Sequence, residues 1–181
     1  MANFNKAIDL ILINEGGYQA HPNDKGNYNS IGQLVGTKYG ISAKTFEKWK
    51  GHRITADDMQ SLHITEAKEI YFTYYWVAIQ GSLIKDQDNA ELIFDHAVNA
   101  GVGGASKLVQ KVLNSFGATL KMDGAIGKQT LYVLNVTDQV RFFDAYKKAR
   151  VSYYISISGG SNSVFAKGWI KRVLAFQKKK L

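Results

Sequence analysis

Apolar residues recur at helical spacing along most of the chain, and this pattern limits the fold more than any other feature. Phe4, Ile8 and Ile11 mark a first helix over about residues 4–14, and helical spacing resumes after Ser42. Helices of this kind bury their apolar faces against one another, so the sequence predicts a mainly α fold. The 181 residues include no cysteine, so we expect a packed core without disulfide cross-links.

One long segment interrupts the helical pattern. From His21 to Gly40 the chain is rich in glycine and asparagine, includes the single Pro22, and has only short apolar pieces. Such composition predicts a long loop or a small β-hairpin after the first helix. Loops of this length in compact domains are usually functional.

Capping residues and glycines divide the rest of the chain into helices. A short helix should contain Thr45 and Trp49, Thr55 should cap a second, and Thr65 should begin a third. We expect a helix over about residues 89–100 to be broken by the glycine-rich run 101–104. Further helices are predicted up to about Phe116, from about Lys128, from about Thr137 to Ile155, and a final one from Asn162.

The net charge of +8 is distributed unevenly. Residues 1–96 carry 9 Lys/Arg and 12 Asp/Glu, whereas residues 97–181 carry 14 and 3, which gives net charges of −3 and +11. The basic half is typical of a surface that faces a polyanion, although a solvated basic face without a partner remains the alternative. We therefore expect a region 1–96 and a packed, basic region 97–181.

Composition also excludes several classes of protein. The lack of cysteine and the scatter of four histidines predict no metal site and no cofactor. No recognisable nucleic-acid-binding motif accompanies the positive charge, and no apolar run is long enough to cross a membrane. The start Met1–Lys6 lacks the plan of a signal peptide. We expect a protein made in the cytoplasm that needs another route to any external target.

Glu15 is the first candidate for catalysis. It stands near the predicted end of the first helix, where the negative end of the helix dipole should raise the pKa of a carboxyl. A raised pKa suits a general acid that must hold a proton near neutral pH, and Gly16 and Gly17 would let a bulky polymer approach. The alternative is a surface glutamate ahead of a glycine helix cap.

The residues that follow Glu15 in the sequence resemble the motifs of a known family. Glu15-Gly16-Gly17-Tyr18, then Asp24, Thr37 and Gly40-Ile41, resemble in order the N-terminal signature of glycoside hydrolase family 108. These are lysozyme-like N-acetylmuramidases of phage lysis cassettes and bacterial genomes, some of them labelled secretion activators. The loop from Gly26 to Thr37 is longer than in many relatives, and His21 stands where many have an acidic residue.

The resemblance extends over nearly the whole chain. Phe94–Gly101 is similar to the family's D-x-x-V-N-x-G helix end, and Gln110 falls on a glutamine of the next helix. Asp123–Thr130 is similar to a D-G-x-x-G-x-x-T turn of the family's peptidoglycan-binding region, and Phe165–Arg172 to its closing F-x-x-G-W-x-x-R. The resemblance thus implies a lysozyme-like catalytic region over 1–96 and a peptidoglycan-binding region over 97–181.

The resemblance also implies roles for individual residues. Glu15 would donate the proton, Asp24 would orient or deprotonate a water, and Thr37 would hold that water. Asp24 as a turn cap and Thr37 as a structural residue remain alternatives. Four further residues are candidates for binding the glycan, the first two by stacking on sugars and the others by bonding N-acetyl groups: Tyr18, Tyr39, Asn99 and Gln110. Asn99 before Ala100-Gly101 could equally end a helix.

The implied substrate is peptidoglycan, cut at the β-1,4 bond between N-acetylmuramic acid and N-acetylglucosamine by a monomer acting at the cell wall, in the periplasm or outside the cell. Two other functions remain open at this stage. A lytic transglycosylase would use Glu15 without Asp24. For a non-catalytic wall-binding or secretion-associated protein, the basic half and the D-G-x-x-G-x-x-T turn would suffice. The products of the reaction distinguish the first two, because only the lyase leaves anhydromuramyl ends.

Overall fold

The computed structural model describes residues 1–12, 17–158 and 163–179. The chain forms two compact units, a small unit of Ile8–Tyr74 and a large unit of Met1–Ala7 with Tyr75–Leu181. Within the described residues, helices alternate with loops, and β-pairing is limited to isolated bridges. The mainly α, lysozyme-like prediction is therefore confirmed. No helix in these ranges is both long and apolar enough to span a membrane.

The helices of the small unit follow the capping signals in the sequence. Helix α1 covers Phe4–Leu12. Its residues from Ile8 onward belong to the small unit, and Ile8 and Ile11 are buried. The other helices of this unit, each short, are α2 (Ala43–Lys50), α3 (Ala56–Ser61) and α4 (Ile64–Tyr71), and α4 continues into a π-helical turn over Phe72–Trp76.

Side-chain caps explain where these helices begin. Thr55 and Asp58 form a reciprocal capping box at the start of α3, as the sequence predicts. Helix α4 begins at Ile64, one residue before the predicted start, because the ring of His63 and not Thr65 is its cap. Nδ1 of His63 accepts a hydrogen bond from the backbone N–H of Thr65 at 3.3 Å. Histidine is an uncommon cap, which is why the threonine was the expected one.

The large unit is built around one almost wholly buried helix. Helix α5 (Gln87–Ala100) is buried at every position from Asp88 to Ala97. A helix buried on all sides lies in the middle of its unit. The remaining helices of the unit are α6 (Val102–Ser115), α7 (Lys128–Val136), α8 (Gln139–Ser156) and α9 (Ser163–Ala175).

The glycine-rich run 101–104 interrupts the helices over fewer residues than predicted. Gly101 alone separates α5 from α6, with a φ of +81° that favours glycine, and α6 begins at Val102. Gly103 and Gly104 lie in the first turn of α6. Glycine costs a helix conformational entropy wherever it sits, but it does not prevent helical φ and ψ.

Trp76 packs at the start of Tyr75–Leu181, the longer of the two chain segments that form the large unit. Its ring is fully buried and meets Phe94 edge to face at 5.3 Å between centroids, and its Nε1 donates to Ser82 Oγ at 2.8 Å. Gly81 packs directly on the indole, since a Cβ there would come within 2.4 Å of a ring carbon. Any side chain at Gly81 would therefore displace the tryptophan.

A buried ion-pair cluster joins three helices of the large unit. Asp95 of α5 pairs with Arg150 of α8 at 2.5 Å and with Arg172 of α9 at 2.6 Å. The side chains of Asp95 and Arg150 are almost completely buried. Buried charges persist only when they are paired and hydrogen-bonded, and Arg150 gains further bonds from the Tyr154 hydroxyl and the Leu92 carbonyl.

His96, the neighbour of Asp95, stays neutral. Burial, assisted by the positive charge of Arg150, lowers the pKa of His96 to about 3. Its Nδ1 lies 2.8 Å from the Tyr146 hydroxyl, which itself donates to the Ala105 carbonyl. Because that hydroxyl has one proton, Nδ1 of His96 is the protonated nitrogen and donates to Tyr146.

Lysines fix the C-terminal segment to the rest of the large unit. Lys178 Nζ pairs with Asp86 at 2.6 Å and with Asp88 at 3.0 Å, and Asp86 is also the N-cap of α5. Lys147 Nζ donates to the Leu174 carbonyl at the end of α9. Part of the basic half therefore serves internal contacts.

Candidate functional site

The loop after α1 carries most of the predicted site residues. Glu15 lies outside the described residues, and the description resumes at Gly17. In place of a regular hairpin, the loop has isolated antiparallel bridges, of which Gln19 with Thr37 and Tyr28 with Leu34 are the widest in sequence. The loop alternative of the sequence prediction is the one observed.

Asn27 is the centre of a hydrogen-bonded network in this loop. Its side chain is fully buried. Nδ2 donates to Gln19 Oε1 and to the His21 carbonyl, both at 2.9 Å, and Oδ1 accepts from Gln19 Nε2 at 3.0 Å. Oδ1 also accepts from the Thr37 hydroxyl at 2.5 Å. One asparagine thus satisfies its hydrogen-bonding capacity and fixes the position of Thr37.

The same network reaches Asp24. Gln19 Nε2 donates to Asp24 Oδ2 at 3.0 Å, while the backbone of Gln19 pairs with that of Thr37 through two hydrogen bonds. The structure therefore links Asp24 and Thr37 through two shared partners, Gln19 and Asn27. Their common loop places a carboxylate and a hydroxyl on one hydrogen-bonded frame.

Asp24 has a structural contact as well. It is the N-cap of a 3-10 turn over Lys25–Asn27, with Oδ1 accepting from the Gly26 N–H at 2.8 Å. Asp24 remains exposed. A carboxylate offers about four acceptor positions, and these two bonds leave room for water at the same group. Capping and catalysis are therefore compatible in Asp24.

Tyr18 packs over a glycine that cannot be replaced. Its hydroxyl donates to the Val35 carbonyl at 3.3 Å, and a Cβ on Gly36 would come within 2.4 Å of its ring. Gly36 also has a φ of +88°, which favours glycine. The tyrosine is 37% exposed, enough to offer part of its ring to a ligand, and sugar stacking by Tyr18 stays a prediction.

Tyr39 occupies a tight turn. Tyr39 and Gly40 both have positive φ, +50° and +71°, between the bridge partners Lys38 and Ile41. Such a pair is typical of a two-residue type I′ turn, in which a tyrosine is rare. The Tyr71 hydroxyl donates to the Tyr39 carbonyl at 3.0 Å, and Lys38 Nζ lies 5.2 Å from the Tyr39 ring centroid. Stacking by Tyr39 also stays a prediction.

Asn99 and Gln110, the two residues of the large unit predicted to bind the glycan, differ in their exposure and in their hydrogen bonds. Asn99 is exposed in the last turn of α5, where Nδ2 donates to the Asp95 carbonyl at 2.6 Å. Gln110 is buried, and its amide holds the turn at 123–125. Nε2 donates to Asp123 Oδ1 and to the Ala125 carbonyl, and Oε1 accepts from the Gly124 N–H. These bonds favour a structural role for Gln110, and its contact with substrate stays a prediction.

Gln110 also stabilises the charged form of Asp123 in the turn at 123–125. The hydrogen bond from Gln110, followed by that from the Ala125 N–H, lowers the pKa of the exposed Asp123 carboxyl. Gly124, the second residue of the motif, has a φ of +81°, which favours glycine. The D-G-x-x-G-x-x-T motif is therefore a turn held from α6, whatever it binds.

Sequence reasoning missed Gln19 and Asn27. Neither is a residue type that performs acid–base chemistry, so neither was a candidate. The available signal was the five Asn and Gln residues between Tyr18 and Thr37, because polar side chains that become buried in a loop must find several partners nearby.

Replacing Asn27 with aspartate should destabilise the small unit. Aspartate keeps the size of the side chain but loses the two donations from Nδ2 and places a charge beside Asp24. We expect the free energy of unfolding to fall by about 2–3 kcal/mol in urea titrations. Asn23→Asp on the exposed part of the loop is the control, with an expected change within about 0.5 kcal/mol. Equal effects of the two substitutions would contradict the central role of Asn27.

Two family models match the chain. The family model described as "Glycosyl hydrolase 108" matches residues 8–101, and the model described as "Predicted Peptidoglycan domain" matches residues 104–174. Among solved structures, the chain is similar to SagA of Brucella abortus, with 27% identity and a TM-score of 0.73 over 97% of this chain and 96% of that one. No curated protein matches the chain.

Proposed function

The chain belongs to the glycosyl hydrolase 108 family, and from this premise we propose that its reaction uses Glu15 as the proton donor, with Asp24 and Thr37 as its partners. The protein is a glycoside hydrolase, a peptidoglycan hydrolase of the N-acetylmuramidase type. The bond it cleaves is the β-1,4 linkage between N-acetylmuramic acid and N-acetylglucosamine. The residues and their roles are the proposal.

The observation that supports these roles is the frame shared by Asp24 and Thr37. Gln19 holds Asp24 through one side-chain bond, and Asn27 holds the Thr37 hydroxyl at 2.5 Å. With its proton donated to Asn27, the Thr37 oxygen can accept a hydrogen bond from a water, and Asp24 can accept a proton from the same water. A water held in this way is the nucleophile that a hydrolase needs.

Glu15 is assigned from its place in the chain. It comes three residues after the last described residue of α1 and is followed by Gly16-Gly17. A carboxyl near the negative end of a helix is disposed to keep its proton, as a general acid requires. Glycines at positions 16 and 17 carry no side chain that would block a polymer beside it.

Hydrolysis and the lyase reaction predict different products and different roles for Asp24. Mass spectrometry of digests of purified peptidoglycan should show reducing muramyl ends, whereas a lyase would leave anhydromuramyl ends lighter by one water. Asp24→Asn should lower the rate by roughly 100-fold or more, because the base that activates water is lost. Asp57→Asn, on an exposed aspartate of α3, should act as wild type. Anhydro products together with an active Asp24→Asn variant would assign the chain to the lyases.

The proposed division of labour follows the chain. Residues 1–96 would carry out the cleavage and residues 97–181 would hold the enzyme on the wall, which the peptidoglycan-domain match over 104–174 and the net charge of +11 support. Tyr18, Tyr39 and Asn99 are the proposed contacts to the glycan. We further propose that the protein acts as a monomer in cell-wall lysis, as a phage endolysin does.

A further inference from the structure

An open groove of about 440 Å³ lies in the small unit, and none of the residues assigned above lines it. Its volume is in the range of sites for small ligands. Most of the side chains that line it are charged or polar: Ser30, Lys44, Glu47, Lys48, His52 and Arg53. Apolar atoms of these residues make up most of the groove's surface, and three of the side chains, Lys44, Lys48 and Arg53, carry a positive charge.

The cations of the groove are available to a ligand. Within the described parts of the chain, Lys44 and Arg53 form no ion pair, and Lys48 Nζ lies 4.7 Å from the centroid of the Tyr74 ring. Glu47, the one acid in the lining, is already engaged by the Ser30 N–H at 2.8 Å and the Ser30 hydroxyl at 3.3 Å. An incoming anion would thus meet three cations and one carboxylate that already has partners.

This positive charge is unusual for its part of the chain. Residues 1–96 have a net charge of −3, yet residues 44–53 carry four Lys/Arg and a single acid, and the cation of the four that does not line the groove, Lys50, pairs with Glu66 at 2.8 Å. A local concentration of cations against the charge of the surrounding region indicates an anionic ligand more than a general need for solubility.

The groove is tied to the loop that carries Asp24 and Thr37. Glu47 fixes Ser30, and Ser30 is only three residues from Asn27, so the two Cα atoms lie within roughly 11 Å. Asn29, between them, donates to the Ile54 carbonyl at 3.2 Å. A polymer bound at the proposed water site could therefore reach the groove with a neighbouring substituent.

We infer that the groove of Lys44, Lys48 and Arg53 binds carboxylates of the peptide stems of peptidoglycan. The inference rests on the peptidoglycan-hydrolase function, because stems are the anionic substituents that such a substrate carries along its glycan. Arginine and lysine are the side chains that bind carboxylates, arginine through two parallel hydrogen bonds. The groove thus makes the enzyme prefer stem-bearing, acidic strands.

The test compares two forms of one substrate. Purified peptidoglycan, freed of phosphate polymers by hydrofluoric acid, is used as such or after carbodiimide amidation of its stem carboxylates. Wild type should cleave the acidic form about fivefold faster than the amidated form at low salt, and the ratio should fall toward 1 as salt is added. In Lys44→Gln/Arg53→Gln the ratio at low salt should fall to less than half of the wild-type ratio, and what remains should be the attraction of the basic region 97–181 to the acidic wall.

The control removes the same charge elsewhere. Lys6→Gln/Lys85→Gln changes two exposed lysines of the large unit and should keep the wild-type ratio. A Lys44→Gln/Arg53→Gln variant with the wild-type ratio would overturn the inference, and so would a wild type that prefers acidic substrate only before phosphate polymers are removed. Cleavage of the amidated substrate reports the catalytic reaction itself. Its loss in Glu15→Gln, without change in the groove variant, keeps the two proposals separate.

Discussion

Replacement of Glu15 by glutamine is expected to lower the rate of peptidoglycan cleavage by roughly 10²- to 10⁴-fold. Glutamine has the shape of the acid but no proton to give to the leaving glycosidic oxygen, so binding should persist while bond cleavage fails. The measurement is the clearing of a peptidoglycan suspension, together with the melting temperature of the variant. The melting temperature should stay within a few degrees of wild type, since glutamine has nearly the same shape as glutamate.

The matched control for this experiment is Glu69→Gln. Glu69 is an exposed glutamate of α4, and its substitution removes the same charge from the same unit. It should leave the rate unchanged. A Glu15→Gln variant that clears the suspension as fast as Glu69→Gln would show that another residue donates the proton. Binding of Glu15→Gln to the wall, measured by co-sedimentation, should equal that of wild type.

The sequence predicts the helical fold well because the signals for helices are local. The capping box of Thr55 and Asp58 involves residues three apart, and the structure confirms it. The same local reasoning fails at the run 101–104. There a single glycine with a left-handed backbone makes the break, and the next two are absorbed into α6. Composition counts glycines, but the positions at which φ is positive are set by packing.

Only those residues of the candidate site that belong to a recognisable sequence motif could be predicted. Asp24 and Thr37 were found because their spacing resembles a family signature, and the structure links them through shared partners. Asn27 was not found, because its importance lies in four hydrogen bonds that form only when the loop closes. Gln110 shows the converse. Its motif position predicts a contact with sugar, which stays a prediction, whereas its bonds to residues 123–125 could not be foreseen from the motif and appear only in the structure.

Removal of the Asp95 carboxylate should be among the most destabilising substitutions in the chain. Asp95→Ala leaves the guanidinium of Arg150, whose residue is 0% exposed, without its counter-charge, and it also frees Arg172 from its 2.6 Å partner. Truncating one partner of a buried pair costs about 3–5 kcal/mol, more than the pair itself contributes, because the remaining charge stays desolvated. Urea titration of the full chain measures the loss.

A double substitution separates the unpaired charge from the lost packing. Asp95→Leu alone should be as damaging as Asp95→Ala, whereas Asp95→Leu/Arg150→Met removes both buried charges and should recover about 1–4 kcal/mol. Asp144→Ala, on an exposed aspartate of the same helix as Arg150, should change stability by no more than about 0.5 kcal/mol. A loss below about 1 kcal/mol in Asp95→Ala, or no recovery in the double variant, would contradict the view that Asp95 neutralises Arg150. Recovery would show that the loss in Asp95→Ala comes from the unpaired guanidinium of Arg150 and not from lost packing.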